Sequence, residues 1–98
     1  MSYLSDDAAL IRRYLDRTAQ PPPESDGLFL LYAVLMRAKG EQVTASDVHD
    51  AWTAWTLTRD PGHPALLPFV ELSPEIRALD LPYMRAIHSA ARQRAQDG

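Results

Sequence analysis

The chain has 98 residues, of which 46% are hydrophobic and 23% charged, a composition typical of a folded globular domain rather than a disordered segment. A formal net charge of −3 argues against a general polyanion binder. The absence of cysteine excludes disulfides, thiolate nucleophiles and sulfur-ligated zinc.

These bounds predict one domain over residues 1–98 in a cytoplasmic protein. The first residues lack both the basic start and the long apolar stretch of a secretory signal. The longest apolar run, residues 28–36, is too short for a membrane span, which needs about 20 residues. We therefore expect no membrane association. We also expect no cofactor.

The first half of the chain predicts a pair of helices over residues 6–40. Ser5 is a suitable N-cap for a first helix over about 6–16, where apolar residues recur at helical spacing. Three adjacent prolines in residues 20–24 cannot continue that helix. They favour a stiff connector, with a ligand for a proline-recognition domain as the alternative.

The second predicted helix begins at a Ser25-Asp26 cap and ends at Gly40. Apolar residues cover nearly its whole circumference, as in a helix that is central in a fold or half in an oligomer interface. The other helices of so short a chain cannot cover all of it, which predicts a homodimer. The expected contact surface contains Leu30 and Val34, or the final helix.

The second half predicts three more helices separated by proline signals. Thr44 and Asp47 form a capping-box pattern for a helix to about Thr58. A short helix then follows Ser73, and a final helix covers about 82–95. The predicted fold is mainly α: a compact bundle of about four helices plus a short helix. A Pro-rich extended strap with a possible short strand crosses it at residues 63–72.

No cluster of residues amounts to a catalytic or metal-binding motif. Asp47, His49 and Asp50 could in principle bind a metal, but the i, i+4 spacing of helical ligand pairs is missing. A helix cap, a satisfied histidine and a solvated carboxylate are the simpler interpretation. The chain also lacks a Gly-x-Ser-x-Gly elbow and a Gly-rich phosphate loop, which argues against an enzyme.

A set of aromatic side chains is one candidate binding surface. Trp52, Trp55, Phe69 and Tyr83 could line a pocket for a planar ligand, although aromatic residues at helical spacing are more often core. Trp52 in particular is expected to be almost fully buried.

The final helix carries a basic stripe on an otherwise acidic protein. Arg85, His88 and Arg92 follow one another at i, i+3 and i+7. A solvated face is the simpler interpretation, and contact with nucleic acid or an acidic partner is the alternative.

One further pattern lies between residues 49 and 80 and consists, in chain order, of His49, Trp52, His63-Pro64, Leu67-Pro68-Phe69, Leu72 and Asp80. This order resembles one repeat of the ryanodine-receptor repeat family. The resemblance covers about residues 45–90 and implies a non-catalytic cytosolic module. The chain as a whole also resembles small proteins of actinobacteria and their phages.

We therefore predict a small, non-catalytic module that binds a small molecule or a protein. A small regulator that contacts nucleic acid or an acidic partner through its basic last helix is the alternative. The candidate binding residues are His49, Trp52, Trp55, His63, Arg85, His88 and Arg92.

Overall fold

The computed structural model describes residues 2–97, which fold into α-helices, two 3₁₀ turns and connecting loops. This confirms the mainly α fold, with four main helices and one short helix. The α-helices are α1 (Tyr3–Tyr14), α2 (Asp26–Lys39), α3 (Ala45–Leu57), α4 (Pro74–Ala78) and α5 (Leu81–Asp97). The 3₁₀ turns are Gly40–Gln42 and Phe69–Glu71.

The first helix begins three residues earlier than its pattern predicts. The N-cap is Ser2 rather than Ser5. The Ser2 hydroxyl accepts a hydrogen bond from the backbone N–H of Ser5, in the first turn of the helix, at 3.1 Å. Serine is a favoured N-cap residue at either position, and the sequence pattern predicted Ser5 where the structure has Ser2. As a result Tyr3 and Leu4 belong to α1.

Gly40 and Ser25 bound α2 in different ways. Gly40 has a φ of 54°, the left-handed conformation that glycine adopts without steric cost, and it ends the helix as expected. Ser25 makes no capping hydrogen bond. Its hydroxyl instead accepts from the guanidinium of Arg12 at 3.2 Å, and the same guanidinium pairs with Asp26 at 2.9 Å. The start of α2 is therefore fixed by α1 rather than by a local cap.

The starts of α3 and α4 follow their sequence patterns. Thr44 and Asp47 form a complete capping box, in which each side chain accepts from the backbone N–H of the other residue. The hydroxyl of Ser73 accepts from the backbone N–H of Ile76 and begins α4. These local bonds set the positions of α3 and of the junction between α4 and α5.

The central helix is α2, which packs against α1, α3 and α5. One face is almost completely buried, while Leu30 and Val34 on another face are 38% and 48% exposed. Most of the apolar circumference is thus covered within the protein. No helix in the described part of the chain is long and apolar enough to cross a membrane. The buried core includes Ile11, Leu28, Phe29, Tyr32, Ala33, Met36, Val48, Ile87 and Ala90.

A buried carboxylate joins three helices. The Asp7 side chain on α1 is only 8% exposed, and it accepts from the Arg37 guanidinium of α2 at 2.6 Å. Its other oxygen lies 3.3 Å from the guanidinium of Arg94 on α5. Two arginines thus compensate one buried negative charge, an arrangement that the sequence pattern did not predict.

The predicted extended strap over residues 63–72 is wrong in its detail. Turns and the 3₁₀ turn Phe69–Glu71 make up this segment, and residues 2–97 contain no strand. Its backbone hydrogen bonds are local, for example from the N–H of Leu66 to the carbonyl of His63. Without a neighbouring strand to pair with, the proline-punctuated chain satisfies its backbone groups in turns.

Candidate functional site

A cavity of about 610 Å³ opens between the α1–α2 connector, α2, α3 and the junction of α4 and α5. We call it the aromatic cavity. Its size lies within the range of small-molecule sites, and its walls are mainly apolar and aromatic with a few polar groups. The polar side chains that line it are Thr18, Gln20, Tyr32, His49, His63, Asp80 and Tyr83.

His49 lies on the α3 wall of the aromatic cavity and is only 3% exposed. Its Nε2 atom is 2.6 Å from the carbonyl oxygen of Leu67. Because a carbonyl oxygen only accepts, Nε2 carries a proton and donates it in this bond. The neutral ring therefore has its free lone pair on Nδ1, which faces the Oδ2 atom of Asp80 at 3.9 Å.

Asp80 is the acidic residue of the cavity, and its side chain is 15% exposed. Burial penalises the carboxylate and raises the pKa of Asp80 to about 6, although the nearby His49 acts in the opposite direction. The residue also directly precedes α5, where the positive end of the helix dipole favours a negative charge.

Two tyrosines place their rings beside this carboxyl group. The ring centroids of Tyr32 and Tyr83 are 5.7 Å apart and tilted by 44°. Burial, then the neighbouring Tyr83 and Asp80, raises the pKa of Tyr32, and burial and Asp80 raise the pKa of Tyr83. Both phenols consequently stay protonated at neutral pH and can act as hydrogen-bond donors.

Trp52 forms the opposite aromatic wall together with two histidines. Its ring stacks on that of His49 with centroids 5.4 Å apart, and meets that of His63 edge to face at 4.9 Å. The Nδ1 atom of His63 accepts from the backbone N–H of Ala65 at 3.0 Å, which fixes the ring. Trp52 is only partly buried, so the prediction of almost full burial is wrong: one side of the indole faces the cavity.

The other aromatic candidates lie outside the cavity lining. The guanidinium of Arg59 lies over the ring of Trp55 at 4.3 Å. The edge of that ring is also close to Gly27, where an added Cβ would be 3.4 Å from Nε1. Phe69 packs behind His49, with their centroids 6.2 Å apart.

The basic candidates of α5 do not form one free surface. His88 Nε2 donates to the carbonyl of Val43 at 2.7 Å, and Arg92 pairs with Glu41 at 3.0 Å. Arg85 is exposed. Two of the three therefore hold α5 against the turn that follows α2.

The carboxylates that the sequence offered as metal ligands do not gather around His49. Asp47 completes the capping box and pairs with Lys39 at 2.9 Å, and Asp50 is exposed. Hydrogen bonding, first of all to the backbone N–H of Thr44, lowers the pKa of Asp47. Residues 2–97 contain no group of three His, Asp or Glu side chains suited to a metal ion.

The structure adds cavity residues that sequence reasoning did not select. Tyr32 sits in an apolar run that predicted a central helix or an oligomer interface, and Thr18 and Gln20 come from the connector. Asp80 was named only among the residues that carry the resemblance to the ryanodine-receptor repeat. The signal that could have found Asp80 is its position between the short helix and Leu81-Pro82. A carboxyl group at the start of a helix, next to a proline that interrupts the preceding helix, is held in place by the surrounding backbone.

The fold is a small helical domain with an open cavity whose walls are largely aromatic. The chain belongs to the family described as "Domain of unknown function (DUF7701)", whose model matches residues 2–92. No curated protein and no solved structure matches the chain, so neither comparison supports a likeness to actinobacterial or phage proteins.

The family match overturns the resemblance to the ryanodine-receptor repeat. The residues that carried it have a local explanation in this fold. His49, Trp52, His63 and Asp80 meet in the wall of one cavity, and Leu67 accepts the His49 hydrogen bond. The packing of this fold therefore brings these four cavity residues together from separate parts of the chain.

Proposed function

We propose that this protein is a non-catalytic module that binds a small molecule in the aromatic cavity. The observation that carries the proposal is the convergence of polar groups on an apolar, aromatic space of about 610 Å³. Apolar walls provide the area for binding, and a few fixed polar groups select the ligand and its orientation.

The polar groups are held by bonds at the back of the cavity. Leu67 fixes the His49 ring, and Ala65 fixes the His63 ring. Less ordering is required when a ligand binds to groups that are already positioned, which favours affinity. The same bonds hold both imidazole rings in place before a ligand binds.

A fragment screen by NMR tests this proposal. Small planar compounds should shift the ring signals of Trp52 and Tyr32. Ala78→Trp, which places a large side chain at the rim of the cavity, should abolish these shifts. Ala95→Trp, on an exposed position of α5 away from the cavity, is the matched control and should retain them. Shifts that are unaffected by Ala78→Trp would contradict the proposal.

A regulator that contacts nucleic acid through α5 receives less support from the geometry. Arg92 is engaged by Glu41, and His88 by the backbone of Val43. Arg94 faces Asp7. Phosphate binding needs several free cations on one surface, and most of the α5 cations already have anionic partners.

We further propose that two copies associate through the part of α2 that α1, α3 and α5 leave uncovered. Leu30 and Val34 are four residues apart, which places them one above the other on the helix surface. Beside Leu30 is a shallow depression of about 260 Å³ that includes Ala9 and Phe29. Two-fold contact of this face with its own copy would remove the apolar side chains from water.

A further inference from the structure

The aromatic cavity has an uneven balance of charge. None of its described lining residues is lysine or arginine, and Asp80 is the one carboxylic acid among them. At neutral pH the ionised carboxylate therefore gives the cavity a net negative charge whenever its histidines are neutral. A ligand that fills this space has to satisfy or neutralise a partly buried carboxylate.

His49 does not satisfy that carboxylate in its neutral form. In that form its Nε2–H donates to the carbonyl oxygen of Leu67 at 2.6 Å, and its Nδ1 atom faces Asp80 with a lone pair. Two acceptors 3.9 Å apart repel each other and attract a donor between or in front of them. Within residues 2–97 the Asp80 carboxyl makes no hydrogen bond to any side chain or backbone N–H.

The walls favour positive charge as well. Tyr83 and Trp52 present electron-rich rings to the same space. A cation within about 6 Å of such a ring is attracted by the ring quadrupole, with Trp the best partner. Aromatic walls around one carboxylate are a combination that binds a cation better than a neutral or an anionic molecule of the same shape.

We propose that the aromatic cavity binds a small organic cation, a protonated amine on a short apolar or aromatic frame. The ammonium group lies at the Asp80 carboxylate, and the frame lies against Trp52 and Tyr83. This inference rests on the proposed ligand-binding function and specifies its ligand class.

Three probes of similar size test the charge preference by calorimetry near neutral pH. They are 2-phenylethylamine, 2-phenylethanol and 3-phenylpropionate, which are cationic, neutral and anionic. The amine should bind at least about ten-fold more tightly than the alcohol, because it gains a charge-assisted hydrogen bond and cation–π contacts. The propionate should bind more weakly than the alcohol.

Variants assign the preference to one carboxyl group. Asp80→Asn should bind the amine and the alcohol with similar affinity. Asp50→Asn, which removes an exposed carboxylate of α3 outside the cavity lining, is the matched control and should keep the wild-type preference. The comparison of amine with alcohol on the wild-type protein needs no variant, so it decides the matter even if Asp80→Asn fails to fold.

Equal binding of amine and alcohol by the wild-type protein would overturn the cation inference and leave the cavity a binding site. An amine preference that persists in Asp80→Asn would also overturn it. Failure of all three probes to bind would overturn it too, and the fragment screen would then judge the proposed function separately.

Discussion

Asp80 is subject to two opposing effects on its charge. Burial stabilises the neutral acid and is the larger effect, whereas the neighbouring His49 stabilises the carboxylate. The result is a carboxyl group with a pKa raised to about 6. In a chain of 98 residues, a single group of this kind is a measurable part of the pH dependence of stability.

We expect Asp80→Asn to become more favourable relative to the wild type as pH rises. The folded-state pKa is above the unfolded value, so the contribution of Asp80 to stability is present at low pH and is lost as pH rises toward and through about 6. Between about pH 4.5 and 7.5 the difference in unfolding free energy should move by roughly 2 kcal/mol in favour of asparagine.

Urea denaturation of both proteins at the two pH values measures this change. Titrating groups that do not contact Asp80 cancel in the difference because both proteins contain them, and His49 is the neighbour that does not cancel. Asp50→Asn, at an exposed site, should show little pH-dependent difference. A constant difference between wild type and Asp80→Asn across this range would show that the carboxyl group is not destabilised by burial.

At the scale of the elements, the ionic contact of Asp7 connects α1, α2 and α5. We expect Asp7→Ala to lower the unfolding free energy by roughly 2 to 3 kcal/mol. It removes charge-assisted hydrogen bonds and leaves Arg37 and Arg94 without their common partner. Both guanidinium groups are about a third exposed, so solvation limits the loss.

Thermal and urea denaturation followed by circular dichroism measure the effect. Asp6→Ala is the matched control, because Asp6 is the neighbouring residue, lies in the first turn of α1 and has an exposed side chain. It should cost less than about 1 kcal/mol. Equal effects of the two substitutions would mean that helix-end electrostatics, rather than the contact with two arginines, explains the role of Asp7.

Helix positions were largely predictable from sequence because caps and breakers act locally. The capping box at Thr44 and the left-handed Gly40 need only their neighbours in the chain. Ser25 did not follow its pattern because Arg12, thirteen residues away, competes for its hydroxyl. The segment over residues 63–72 failed for a related reason: proline signals predict interruption but do not distinguish a strand from turns.

At the scale of the whole molecule, the exposed part of α2 gives a test of self-association. Leu30→Glu combined with Val34→Glu should convert a dimer to a monomer, because each charge would be buried in the contact. Sedimentation velocity at micromolar concentration measures the change. Leu79→Glu, at an exposed apolar residue outside α2, is the control and should leave the mass unchanged. A wild-type protein that sediments as a monomer at all concentrations would contradict self-association.

The candidate site was only partly predictable from sequence. His49, Trp52 and His63 were selected from their residue types, and all three line the cavity. Trp55 and the basic residues of α5 were selected on the same grounds, but Trp55 lies outside the cavity lining and Arg92 pairs with the distant Glu41. Residue type indicates what chemistry a side chain can perform. Whether it faces a cavity is determined by packing between distant parts of the chain.

The local bonding of residues 58–68 has a consequence for motion. Each of their backbone hydrogen bonds runs to a residue no more than four positions away, and the His49 bond to Leu67 ties them to α3. Such a segment can open without unfolding the helices. Its amides should exchange with deuterium much faster than those of α2, and His49→Phe should accelerate the exchange further by removing the bond. The loop that carries His63 would then be a part of the cavity wall that moves while the helices stay folded.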